Sequence, residues 1–236
     1  MRNYNYELFD YINLKDETSN DGRRIYITPD GVRLPSVTTV LSDKLPKKAL
    51  ENWRKRVGEA EADRVSTKAK IRGSALHKIC ENYILGVEKY TQGSMPTTVI
   101  MFNSLKPYLS SDRLTKIYGV EVPLYSYKRW TAGRSDLIGQ YEGVNSIIDF
   151  KSSTRIKDES WIENYFLQAT CYALLSEEMF GIDIPQIVVM IGVDNEPTPQ
   201  LFVKNKADYV ERVLELYTPP DNAQELLDYA KESQKA

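Results

Sequence analysis

The chain has 236 residues, 42% hydrophobic and 27% charged, with a net charge of -2 and one histidine. That length buries a proper core as one domain, alone or with a helical annex. No apolar run reaches the roughly 20 residues of a membrane span and Met1 to Asp10 lack the apolar centre of a secretory signal, so a soluble intracellular protein, not a secreted one, is expected.

The small net charge hides an asymmetry. From Lys44 to Arg72 ten Lys/Arg stand against four Asp/Glu, and from Asp158 to the end five stand against fifteen. This fits a basic surface for an anionic polymer beside a solvated acidic face; ordinary solvent-facing helices are the plainer reading.

In chain order, Met1 to Asp21 is polar and tyrosine-rich without a clear period, and reads as a loosely attached extension. Arg23 to Leu34 reads as a hairpin around Pro29-Asp30-Gly31, where proline and glycine suit a turn. Ser36 then caps a short helix, and its hydroxyl with that of Thr38 could also hold a phosphate.

Lys47 to Val65 is helical in pattern, with Trp53 among Arg54, Lys55 and Arg56, either a base-stacking aromatic or a core tryptophan of an amphipathic helix. A cap at Ser66-Thr67 predicts a second helix over Lys68 to Leu85, ended by Gly86. On it His77 and Glu81 share a face at i,i+4, bordering the stripe of Leu76, Ile79, Cys80 and Tyr83. A lone histidine is usually structural; a metal site short of one ligand is the alternative. Cys80 and Cys171 both fall in helical patterns and read as buried free thiols, too few for an iron-sulfur cluster.

A helix is expected over 97–105 and a strand over Thr115 to Tyr127, where Glu121 is either a further site carboxylate or a charge at a sheet edge. The next stretch, Arg134 to Ser153, reads as two strands and a turn carrying Asp136, Asp149 and Lys151. Alternate strand residues share a face, so Asp149 and Lys151 point one way while Ile148 and Phe150 point the other. A two-residue turn at Glu142-Gly143 sets Asp136 opposite Asp149, and a turn over Glu142 to Asn145 sets it opposite Lys151; either register gathers all three on one face. Two converging carboxylates repel unless a cation lies between them, and hard oxygen ligands suit Mg or Mn. A lysine beside them can orient or deprotonate a water, or steady a phosphate. The plain alternative is an exposed hairpin with an ordinary ion pair.

Asp158 is expected to cap a long helix reaching Phe180 and stopped by Gly181, with Trp161, Tyr165, Gln168 and Tyr172 on one face. A glutamine inside that stripe asks for a polar partner, a phosphate or a base among them. Gln186 to Asp194 and Gln200 to Asn205 read as paired strands, and Lys206 to Tyr217 and Asp221 to Lys231 as terminal helices. There is no internal repeat and no glycine-rich phosphate loop.

Gly-Arg-Ser-Asp136, Ile-Ile-Asp149-Phe-Lys151 and Gln168-x-x-x-Tyr172, preceded by Arg72-Gly-Ser-x-x-His77, resemble in order the motifs of the PD-(D/E)XK nuclease superfamily, in its RecB-like branch. The Thr-Pro-Asp-Gly-x-x-Leu-Pro-Ser-Val-Thr segment is further similar to the mitochondrial genome maintenance exonucleases and their phage relatives. The likeness spans about Arg23 to Asn205. It departs at the superfamily's proline, since Ser135 precedes Asp136.

The resemblance implies an α/β fold: a restriction-endonuclease-like core with a central mixed β-sheet flanked by helices, and a helical arch at about 36–72 guiding a single strand. The domain would span 23–236 after an extension over 1–22, with the catalytic core at about 73–205. By the same likeness Asp136, Asp149 and His77 bind Mg or Mn, and Asp136, Asp149 and Lys151 are catalytic. Gln168, Tyr172, Ser152, Arg72, Ser36 and Thr38 serve DNA. The function implied is a metal-dependent DNA exonuclease preferring single strands, working in a bacterial or phage-infected cell or a DNA-containing organelle. An endonuclease using the same site, or a DNA-binding module without catalysis, are the alternatives.

Overall fold

The computed structural model describes residues 4–233. The chain opens with β1 (Asn5–Tyr6), β2 (Lys15–Thr18), β3 (Arg24–Ile27) and β4 (Arg33–Pro35), followed by helices α1 (Val37–Lys44), α2 (Lys48–Val57), α3 (Glu59–Ile84) and α4 (Pro96–Leu105). Three long strands come next, β5 (Leu114–Ser126), β6 (Thr131–Tyr141) and β7 (Val144–Ser153). Then follow α5 (Glu163–Phe180), β8 (Gln186–Val193), β9 (Gln200–Asn205), α6 (Ala207–Leu216) and α7 (Ala223–Ser233).

The large sheet has the order β1-β5-β6-β7-β8-β9. Its middle is an antiparallel meander of β5, β6 and β7; β8 joins β7 in parallel, and β9 returns antiparallel beside β8. A parallel pair needs a crossover, and α5 supplies it. This is the expected α/β architecture, a central mixed sheet flanked by helices.

Both sheet faces are covered, which explains why β7 and β8 read as near-continuous apolar runs. On one face Ile147, Ile187 and Val189 pack with Leu167, Cys171 and Leu175 of α5. On the other, Ile148, Phe150, Val188 and Met190 pack with Leu76 and Ile79 of α3 and with Met101 and Phe102 of α4. Cys80 and Cys171 are free and buried, as expected. Among the described residues no helix is long and apolar enough to cross a membrane.

The structure corrects three local expectations. From Tyr4 onward the chain is not loosely attached, residues 1–3 of that expected extension lying outside the described residues: Tyr4 is buried, β1 pairs in parallel with β5, and Leu14 joins a core cluster with Tyr26 and Leu34 of the small β2-β3-β4 sheet. The backbone needs of a parallel edge strand outweigh the missing period.

The helix break falls at Gly58, whose φ of 85° only glycine adopts freely, and not at Ser66-Thr67. α3 therefore runs unbroken for 26 residues, and Ser66 and Thr67 lie in its interior instead of capping it. Asp158 caps only a 3-10 turn, Glu159–Trp161, by accepting the Ser160 N–H. Ile162 turns into the core with non-helical dihedrals, so α5 begins at Glu163 and Trp161 is left off that helix, 65% exposed.

Register irregularities in β5 beside Lys116 and Gly119 bring its backbone close to β6. A Cβ at Gly139 would collide with the Lys116 carbonyl oxygen. Backbone cannot swing aside as a side chain can, so Gly139→Ala is expected to cost about 1–3 kcal/mol, the range of overpacked cores. Denaturant unfolding measures it; an unchanged midpoint would show that β5 yields.

Candidate active site

The β6-β7 turn, Glu142-Gly143, has φ of 51° and 83°, the paired positive values of a two-residue hairpin loop. Of the two registers the sequence left open, this selects the one in which Asp136 faces Asp149, continuing the series from Tyr141↔Val144 to Leu137↔Ile148. The backbone ladder stops at that last pair. One residue on, the Asp136 carboxylate accepts the Phe150 N–H at 2.8 Å through Oδ2, taking the place of a strand carbonyl. The two strands fork there, and the fork opens the space in which the acidic groups gather.

From α3, His77 Nδ1 reaches Asp136 Oδ1 at 3.2 Å. From β5 comes Glu121, which lies between the pairs Val120↔Leu137 and Val122↔Ser135, abreast of Asp136. His77, Glu121 and Asp136 each offer a ligand atom, all within 4.8 Å of one another. Asp149 is 1% exposed and sits by Lys151, Nζ to Oδ2 2.5 Å, as their shared strand face predicts. Lys151 Nζ also stands 5.2 Å from the Tyr165 ring centroid.

The sequence weighed Glu121 and left it open. Its φ of 53° departs from the strand, but the register runs unbroken from the Ser126↔Thr131 end of the β5-β6 hairpin through Val122↔Ser135 to Val120↔Leu137, so the place of that turn is the signal that sets Glu121 opposite Asp136. Glu81, the other carboxylate near His77 in sequence, is paired with Lys78 at 2.9 Å.

The expected substrate-side residues fall in three places. Arg72 Nε donates to Ser152 Oγ at 3.3 Å, beside Lys151. Ser36 is buried and caps α1 by accepting the Thr39 N–H, with Thr38 Oγ1 3.1 Å away. Thr38 and Gln168 line one cleft of about 450 Å³. Tyr172 is 5% exposed and lies against Gly133, where a Cβ would come within 2.7 Å of its ring.

The electrostatics follow from burial and crowding. Burial pushes Asp149 above the usual carboxylate range despite Lys151. Asp136, although buried, is held below that range by His77 and Lys151. Burial and the Asp136 charge raise Glu121 to about 7. His77 loses solvation, which disfavours its charge, but the Asp136 carboxylate outweighs this and lifts it to about 9.

No family model and no curated protein matches this sequence. Among solved structures it is similar to a protein from Eubacterium rectale named a "putative exonuclease", at a TM-score of 0.37 and 12% identity, over 70% of this chain and 65% of that one. A likeness this distant carries no argument. The chain spans just under two thirds of that protein's length.

The donor set itself tests whether a metal fits. An imidazole and two carboxylates converge, with the buried Asp149, paired to Lys151 through Oδ2, beside them. Such a cluster suits a divalent cation. Ligands must shed protons to bind, and His77 and Glu121 hold theirs in the neutral range. Mn affinity is therefore expected to rise from pH 6 to 9, with proton release that calorimetry in buffers of different ionisation enthalpy counts. Glu121→Gln should lower the number released at pH 6. Affinity flat across that range would remove both residues from the ligand set.

Proposed function

We propose that the chain is a metal-dependent deoxyribonuclease, an exonuclease that hydrolyses phosphodiester bonds of single-stranded DNA from a free end. The observation that carries this reading is the meeting of His77, Glu121 and Asp136 at the β6-β7 fork with the buried Asp149 and Lys151 pair alongside. The ordered motifs of the PD-(D/E)XK superfamily support it from the sequence side.

His77, Glu121, Asp136 and Asp149 would hold Mg or Mn. Bound there, the cation supplies charge neutralisation for a phosphoryl oxygen and a more acidic water. Lys151 is kept protonated by Asp149 and Asp136 against the pull of burial. It therefore acts as a hydrogen-bond donor that orients a water or the scissile phosphate, and is a poor candidate for general base at neutral pH. Tyr165 flanks the ammonium and limits the directions it can take. Ser152 and Arg72, fixed to each other, stand at the exit of β7 to steady a neighbouring phosphate.

Single-stranded linear DNA labelled separately at each end, beside a single-stranded circle, tests the reading with Mg, with Mn and with chelator. Metal-dependent release from the linear strands alone is expected. Cutting of the circle would make the enzyme an endonuclease, and inertness with every metal would overturn catalysis.

A further inference from the structure

We propose that the segment joining β7 to α5 is a subsite for an unpaired nucleotide strand, in which Trp161 stacks on a base while Arg72, Arg155 and Lys157 hold phosphates. It rests on the nuclease reading above and extends it beyond the cleavage centre to Trp161, Arg155 and Lys157, which no motif covers.

The indole of Trp161 is 65% exposed at a cleft of about 450 Å³ that it shares with Thr38, Lys47, Leu50 and Gln168. Leu50, on the α2 side, is itself 53% exposed, so two apolar groups border an open slot. The Arg155 guanidinium lies 6.0 Å from the Trp161 ring centroid. Arg72 reaches the same segment through Ser152. Burial first, and then the guanidiniums of Arg155 and Arg72, hold the Lys157 ammonium below its ordinary range.

Three cations thus crowd together just past Lys151, and among the described residues none of them forms an ion pair, whereas nearby Lys204 is neutralised by Glu159. Asp158 and Glu159 follow in the chain and Glu163 lines the cleft, yet none of them pairs with these cations, which leaves all three to an anion that is not part of the chain.

The segment is also held ready. Ser153 Oγ donates to the Arg155 carbonyl at 2.6 Å and accepts its N–H at 3.3 Å. Gln200 grips both sides of Lys157, accepting its N–H at 2.7 Å and donating to its carbonyl at 2.8 Å. A backbone fixed in this way leaves only the side chains to be ordered when a ligand arrives. A flat exposed ring beside cations on a fixed backbone matches a base with its phosphates, and stacking needs a free base face, which a duplex keeps inside its own stack.

The test is anisotropy of a fluorescein-labelled twelve-nucleotide oligothymidine with the full chain in chelator, which prevents cleavage. Trp161→Ala is expected to weaken binding roughly tenfold and Trp161→Phe to restore most of it. The double variant Arg155→Gln, Lys157→Gln should flatten the slope of log affinity against log salt by about 1.4, two phosphates' worth for a single strand.

Parent-like binding by Trp161→Ala, or equal sensitivity of a hairpin duplex to that change, overturns the subsite. If the parent cleaves DNA but ignores Trp161, this inference alone fails. If the parent binds through Trp161 and cleaves nothing with any metal, the nuclease reading fails and the subsite stands.

Discussion

Lys151→Ala is expected to lower cleavage by at least about a hundredfold to a thousandfold while leaving DNA bound, because it deletes one pre-aimed donor beside the clustered carboxylates. It also strips the buried Asp149 of its 2.5 Å partner. Breaking a buried pair in this way costs about 3–5 kcal/mol when the remaining group stays charged. Asp149 escapes part of that cost by keeping a proton, since its folded pKa already lies above its unfolded one and rises further without the ammonium. The sign follows: parent and variant lose stability alike as pH rises from the ordinary carboxylate pKa of about 4 to the parent's folded value of about 6, so the variant's extra deficit opens above about 6 and grows towards the variant's own, higher folded value. Single-turnover cleavage and thermal melts from pH 4 to 8 read both effects. Cleavage retained in Lys151→Ala would sink the donor role, whatever the melts show.

Asp136→Asn should be nearly as severe in cleavage, about a thousandfold, and more severe in metal binding, at least about a hundredfold weaker for Mn. The amide can still accept the Phe150 N–H, so the strand fork survives while the charge is removed. His77 then loses the carboxylate that lifts it to about 9, and burial pulls its pKa down. Histidine NMR of the metal-free protein measures this shift on the chain's single imidazole. A variant that binds Mn as the parent does would take Asp136 out of the ligand set. An unmoved histidine titration would deny that the two side chains face each other.

Much of the scaffold is local and so was written in the sequence. Short-range chemistry decides a glycine stop such as Gly181, a serine cap such as Ser36, and two strands around Glu142-Gly143, and these elements formed where the residues place them. The same holds for Asp149 and Lys151, two residues apart on one strand, whose meeting needs only the pleat.

Other features depend on partners far away in the chain. Gly58 and not Ser66 breaks the helix because a positive φ ends it sharply, while a buried Ala62 carries α3 onward. Trp161 left the face of Tyr165 and Gln168 because the core claimed Ile162. Glu121 joins His77 and Asp136 from the neighbouring strand β5, and the histidine comes from a helix far off in the chain. The sequence by itself determined the β6-β7 hairpin and the Asp149-Lys151 pair on β7, since each follows from contacts between near neighbours. Only the tertiary structure decided which third carboxylate meets the histidine and which aromatic stays in solvent, because those outcomes are set by long-range packing and by where a strand ladder stops.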